Sequence, residues 1–90
     1  MSASHLVVVA PSQEREATSD RIKRLQAETK LLAREHVEAL GAALANVARM
    51  ASEIAEGGDV YPVGAREMAR RLTEDATRQA VTLTAILDRY

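Results

Sequence analysis

Residues 33–64 read AREHVEALGAALANVARMASEIAEGGDVYPVG, and this stretch decides the fold. Ala33, Val37, Leu40, Leu44, Val47, Ala51 and Ile54 follow one another at steps of 4, 3, 4, 3, 4 and 3. That alternation is the seam of two packed helices. Ala43 and Met50 widen the seam on one side. Gly57 stands where a left-handed residue closes a helix. The cluster Gly57 to Gly64, with Pro62 inside it, is the strongest break in the chain, and Pro11 is the other.

Working outward, the segment between Pro11 and Gly57 is interrupted only by Gly41, which costs about 1 kcal/mol in a helix interior without ending it. Ser12 suits the N-cap, and Glu14 and Glu16 suit the positive end of the helix dipole. Ser19 beside Asp20 is a rival start, so Thr18–Asp20 is a place for fraying or a kink. A first helix is expected over about 13–56, with Ile22, Leu25, Thr29 and Leu32 continuing a thinner apolar stripe. A second is expected over about 65–88, on the stripe Ala65, Ala69, Leu72, Ala76, Ala80, Leu83 and Leu87. Its solvent side carries Glu67 with Arg70 and Arg71, and Glu74 with Arg78, an order worth about 0.2–0.5 kcal/mol per pair.

Lengths set the architecture. At about 1.5 Å per residue the first helix spans roughly 65 Å and the second roughly 36 Å. Folding back through the glycine loop pairs the second helix with residues 33–56 and leaves Ile22, Leu25, Leu31 and Leu32 uncovered. A two-helix core is small and marginal without help. The expectation is an all-α antiparallel hairpin that dimerises into a four-helix bundle. Residues 35–59 hold five acids (Glu35, Glu38, Glu53, Glu56 and Asp59) against Arg49 alone. The antiparallel register therefore predicts Glu53 and Glu56 near Arg66 and Arg70.

Composition narrows the function. The 90 residues include two aromatics, Tyr61 and Tyr90, and 17 alanines, so the core must be aliphatic and close-packed. Such a mix suits helices better than sheets. With no cysteine there is no disulfide framework, thiolate nucleophile or cysteine-based zinc site. A net charge of −1 gives no global attraction to nucleic acid or anionic membranes. The run Leu6–Ala10 lacks a preceding cation and is too short for a secretory signal or a membrane span. Residues 1–11 are expected as an extended or disordered tail, residues 12–90 as one domain, and the location as cytoplasmic. Arginine and alanine richness is associated with a GC-rich, bacterial coding sequence.

Chemistry-bearing residues are few. His5 lies in the tail. His36 sits beside the seam near Glu35, Glu38 and, across the hairpin, Asp88, where a semi-buried structural role is expected. No acid stands three residues before it, as the metal-binding pattern of helix bundles requires. The stretch Leu31–His36 has the general character of the helix that carries the phosphoacceptor histidine in histidine-phosphotransfer domains and sensor-kinase dimerisation helices. Val37 to Gly41 lack the Lys-Gly pair of the former, and no proline or asparagine appears before Asn46. No glycine-rich phosphate loop or serine triad is present, and the carboxylates alternate with arginines as a solvated face does.

The expectation is thus a non-enzymatic, homodimeric interaction protein of regulatory or adaptor type, without cofactor, metal, membrane or small-molecule substrate. Its candidate surfaces are Ile22, Leu25, Thr29 and Leu32 on the first helix and Tyr61 and Val63 at the loop. Two alternatives are a phosphocarrier using His36 and a weak DNA-binding accessory using Arg21, Lys23, Arg24, Lys30 and Arg34. Residues 13–34 hold six basic and four acidic residues, a net of +2.

Overall fold

The computed structural model describes the backbone of residues 2–90 and the side chains of residues 17–90. The chain is all-helical: α1 covers Ser2–Ala55, a 3₁₀ turn covers Gly58–Val60, and α2 covers Val63–Arg89. α1 runs unbroken through Thr18–Asp20, the place the sequence marks for fraying or a kink. Its boundary at Ser2 lies upstream of the expected start near residue 13. α1 thus includes residues 2–11, expected as an extended or disordered tail, and Ser12, expected as its cap; the side chains of residues 1–16 fall outside the described residues.

The chain divides into two units, Met1–Ala33 and Arg34–Tyr90. In the first, every described side chain, from residue 17 to residue 33, is exposed. The second is a hairpin in which α2 packs back on residues 34–55. Its inward line on α1 is Arg34, Val37, Gly41, Leu44, Ala48, Ala51 and Ala55, and on α2 it is Arg66, Ala69, Thr73, Ala76, Ala80, Leu83 and Leu87. Both lines advance by alternating steps of 3 and 4, the signature of helices meeting along a seam.

The expected period is therefore present, but its phase differs by one residue at alternate positions. Gly41, Ala48 and Ala55 replace Leu40, Val47 and Ile54 on α1, and Arg66 and Thr73 replace Ala65 and Leu72 on α2. Leu40, Val47 and Leu72 are exposed, while Ile54 lies half-buried at the edge. Among the described residues the buried apolar set is Ala48, Ala51, Ala69 and Ala76. Small side chains let two backbones approach closely, and larger ones are displaced to the flank. A hydropathy pattern favours the larger residue at each step and so misses this choice.

The loop also corrects an expectation. Gly57 closes no helix in the left-handed region; it has φ −78°. The positive φ belongs to Gly58, at +78°. Gly57 matters for space instead, because a Cβ there would overlap the ring of Tyr61. The loop amide of Tyr61 donates to the Gly58 carbonyl at 3.1 Å. Pro62 then precedes the first turn of α2, with ψ 146°. Proline fixes φ and has no N–H to satisfy, which suits a helix start.

Candidate interaction surface

Two arginines frame the ends of the seam. Arg34 donates from Nη1 to the Leu87 carbonyl at 3.0 Å and from Nε to Glu38 Oε1 at 3.1 Å. It thus supplies positive charge to the carbonyls at the C-terminal end of α2. This commitment removes Arg34 from the basic set expected to reach DNA. At the other end, Arg66 donates from Nε to the Tyr61 carbonyl at 3.2 Å, and its Nη2 lies 3.8 Å from Asp59 Oδ1. Arg66 therefore braces the loop.

The expected bridges from Glu53 and Glu56 to Arg66 and Arg70 do not form. Glu53 pairs with Arg49 at 2.7 Å, and Arg70 with Glu67 at 3.0 Å. Arg70 and Glu56 do line one groove with Ser52 and Thr73. Neighbours three or four residues apart on one helix simply reach each other first. Arg78 pairs with Asp75, three residues away, at 2.9 Å rather than with Glu74, four residues away.

The sequence-derived candidates fall in separate places. Ile22, Leu25, Thr29 and Leu32 are exposed within the first unit, and their spacing of 3, 4 and 3 places them on one helical stripe. Tyr61 lies against Gly57 and is 39% exposed, while Val63 is open in the first turn of α2. His36 is exposed rather than semi-buried, and no hydrogen bond or ion pair joins it to Glu35, Glu38 or Asp88 among the described residues. A helical residue on the flank of a seam of small side chains remains open to water. Among the described residues no cluster of histidine and acidic groups suits a metal ion.

A further surface is the flank created by the phase of the seam. Val47, Met50 and Ile54 from α1 and Ala65, Met68 and Leu72 from α2 line one groove, with Ala51 and Ala69 at its floor. No lining residue is polar. Met50 and Met68 are 50% and 67% exposed. Two signals in the sequence marked it: Met50 beside the α1 stripe and Met68 beside Ala69. The groove on the opposite side of the hairpin is mixed, with Arg34, Glu38, Thr84 and Asp88 beside Ala42, Ala45 and Val81. Among the described residues no helix is long and apolar enough to cross a membrane. No protein-family model matches the chain, and no curated protein or solved structure matches it either.

Proposed function

We propose that this chain acts through protein–protein contact, as a non-enzymatic homodimeric bundle of regulatory or adaptor type, with two hairpins completing a four-helix core. The observation that supports this reading is the mismatch between the seam and its flank. Alanines are buried inside the hairpin, while Val47, Met50, Met68 and Leu72 stay exposed beside them. A helix pair held together by alanine contacts removes little apolar area from water, and that area carries most of the driving force for folding.

Magnitudes favour association without making it irreversible. Full burial of a Val, Leu, Ile or Met side chain yields roughly 1.5–3 kcal/mol, so completing the burial of the partly exposed Val47, Met50, Ile54, Met68 and Leu72 yields roughly 4–7 kcal/mol per copy. Association itself costs about 4–15 kcal/mol. The dimer should therefore dissociate within an accessible concentration range. Light scattering across a dilution series tests this directly. The expected mass is twice the 9.8 kDa of one chain at high concentration, falling on dilution. A constant single-chain mass at every concentration refutes the homodimer.

A further inference from the structure

We propose that the two copies meet through the loop-proximal face around Met50, Ile54, Met68 and Leu72, with both loops at the same end of the assembly. This arrangement rests on the homodimer reading above and specifies its geometry. The groove has an alanine floor between two rows of longer side chains. Met50 and Met68 stand at its edges as flexible knobs, and the floor beside Ala51 and Ala69 is the matching hole. A second copy of the same face offers both parts, which is what a two-fold contact requires. Methionine suits such an interface because its unbranched chain adapts to irregular gaps.

The gradient along the face selects the orientation. One heptad further from the loop, Met50 gives way to Ala43 and then to His36. On α2, Met68 gives way to Asp75 and Thr82, and Leu72 to Gln79. Packing with loops at opposite ends lays the methionines of one copy on Gln79, Thr82 and the exposed Asp75–Arg78 pair of the other, which takes water from these polar groups and offers them no new partner. Packing with loops together joins apolar half to apolar half.

Charge agrees with the same choice. Ala51 and Ala69 share the groove floor, so Glu53 and Arg71 lie only about 6 Å apart along the hairpin. Glu53 stands on the outer edge of α1, three residues past Met50, and Arg71 on the outer edge of α2, three past Met68. Among the described residues Arg71 forms no ion pair, while Glu53 accepts from Arg49 on its own helix through Oε1. When α1 of one copy lies against α2 of the other, each Glu53 faces an Arg71, twice by symmetry. Such a rim pair selects register and partner more than it adds affinity.

Two variants and one label test the arrangement. Met68→Glu places a charge on the face at a position exposed in the single hairpin, so helix content by circular dichroism should hold. Its dimer should weaken by about 100-fold or more by light scattering. Val81→Glu, on the other side of the hairpin, should leave the mass unchanged. The chain lacks cysteine, so Val60→Cys gives a unique spin-label site at the loop, where Val60 is 86% exposed. Loops at one end place the two labels within about two helix diameters, near 20–30 Å. Loops at opposite ends separate them by at least the length of α2, about 40 Å.

A Met68→Glu chain that still dimerises, a Val81→Glu chain that does not, or a label separation of about 40 Å or more overturns this geometry and leaves the dimer standing. A wild-type chain that is monomeric throughout overturns both. If Met68→Glu fails to fold, the label separation decides alone.

Discussion

At the scale of single residues, the loop uses its two adjacent glycines for different reasons. Gly58 needs the left-handed region, so Gly58→Ala should cost about 1–2 kcal/mol through backbone strain. Gly57 has an ordinary helical φ, but a Cβ there would overlap the Tyr61 ring and lie 3.0 Å from the Glu53 carbonyl oxygen. Gly57→Ala should therefore destabilise by about 1–3 kcal/mol, the usual range for overpacking. In a Tyr61→Ala background the same change should cost clearly less, with only the contact to the Glu53 carbonyl oxygen remaining. A double-mutant cycle by denaturant unfolding measures the difference, and equal costs in both backgrounds would rule out the ring as the cause. Sequence alone identified the break at this loop but placed the left-handed residue at Gly57 rather than Gly58. Which of two neighbours takes φ above zero depends on where the following Tyr61 folds back, and spacing does not encode that.

At the scale of elements, the helix period and the antiparallel pairing were legible, because alternating steps of 3 and 4 survive in any solvent-facing helix pair. The phase was not. Leu40, Val47 and Ile54 outrank Gly41, Ala48 and Ala55 in hydropathy, yet the hairpin selects the smaller set and leaves the larger for its flank. Arg34 and Arg66 were equally hidden, since an arginine at a seam position looks like a solvated charge until the carbonyl it meets is placed. This account makes opposite predictions for two small residues in the same seam. Gly41→Ala meets open space in a helix interior, so it should stabilise by about 0.5–1 kcal/mol. Ala76→Leu adds bulk where the side chain is 3% exposed and should destabilise by about 1–3 kcal/mol. Thermal unfolding of both variants checks the pair. A stabilising Ala76→Leu would mean that the two backbones do not depend on close approach.

At the scale of the whole molecule, the seam and the flank are two halves of one energetic problem. Small residues allow the helices to approach, but they bury too little apolar surface to hold a hairpin firmly on their own. The exposed ion pairs add little, at about 0.3–0.5 kcal/mol each. Under the proposed dimer a second copy supplies the missing buried surface, and folding and association then share one equilibrium. Mass action makes the consequence measurable: the melting temperature should rise with protein concentration, because a partner that binds the folded hairpin and not the unfolded chain stabilises it. Across a hundredfold concentration range the added stabilisation of a dimer is about RT ln 100, or about 2.7 kcal/mol. Shared between two chains this is about 1.4 kcal/mol each, and for a chain of this size 1 kcal/mol shifts the midpoint by about 4–8 °C, so the rise should be about 5–11 °C. Met68→Glu should flatten that dependence while Val81→Glu preserves it. Because this readout follows unfolding rather than mass, it also separates a dimer that supports the fold from two finished hairpins that merely touch. The latter predicts a midpoint nearly independent of concentration when the contact dissociates below the melting temperature, together with a dimer mass in light scattering at lower temperature; a contact that survives to the midpoint shifts it by mass action.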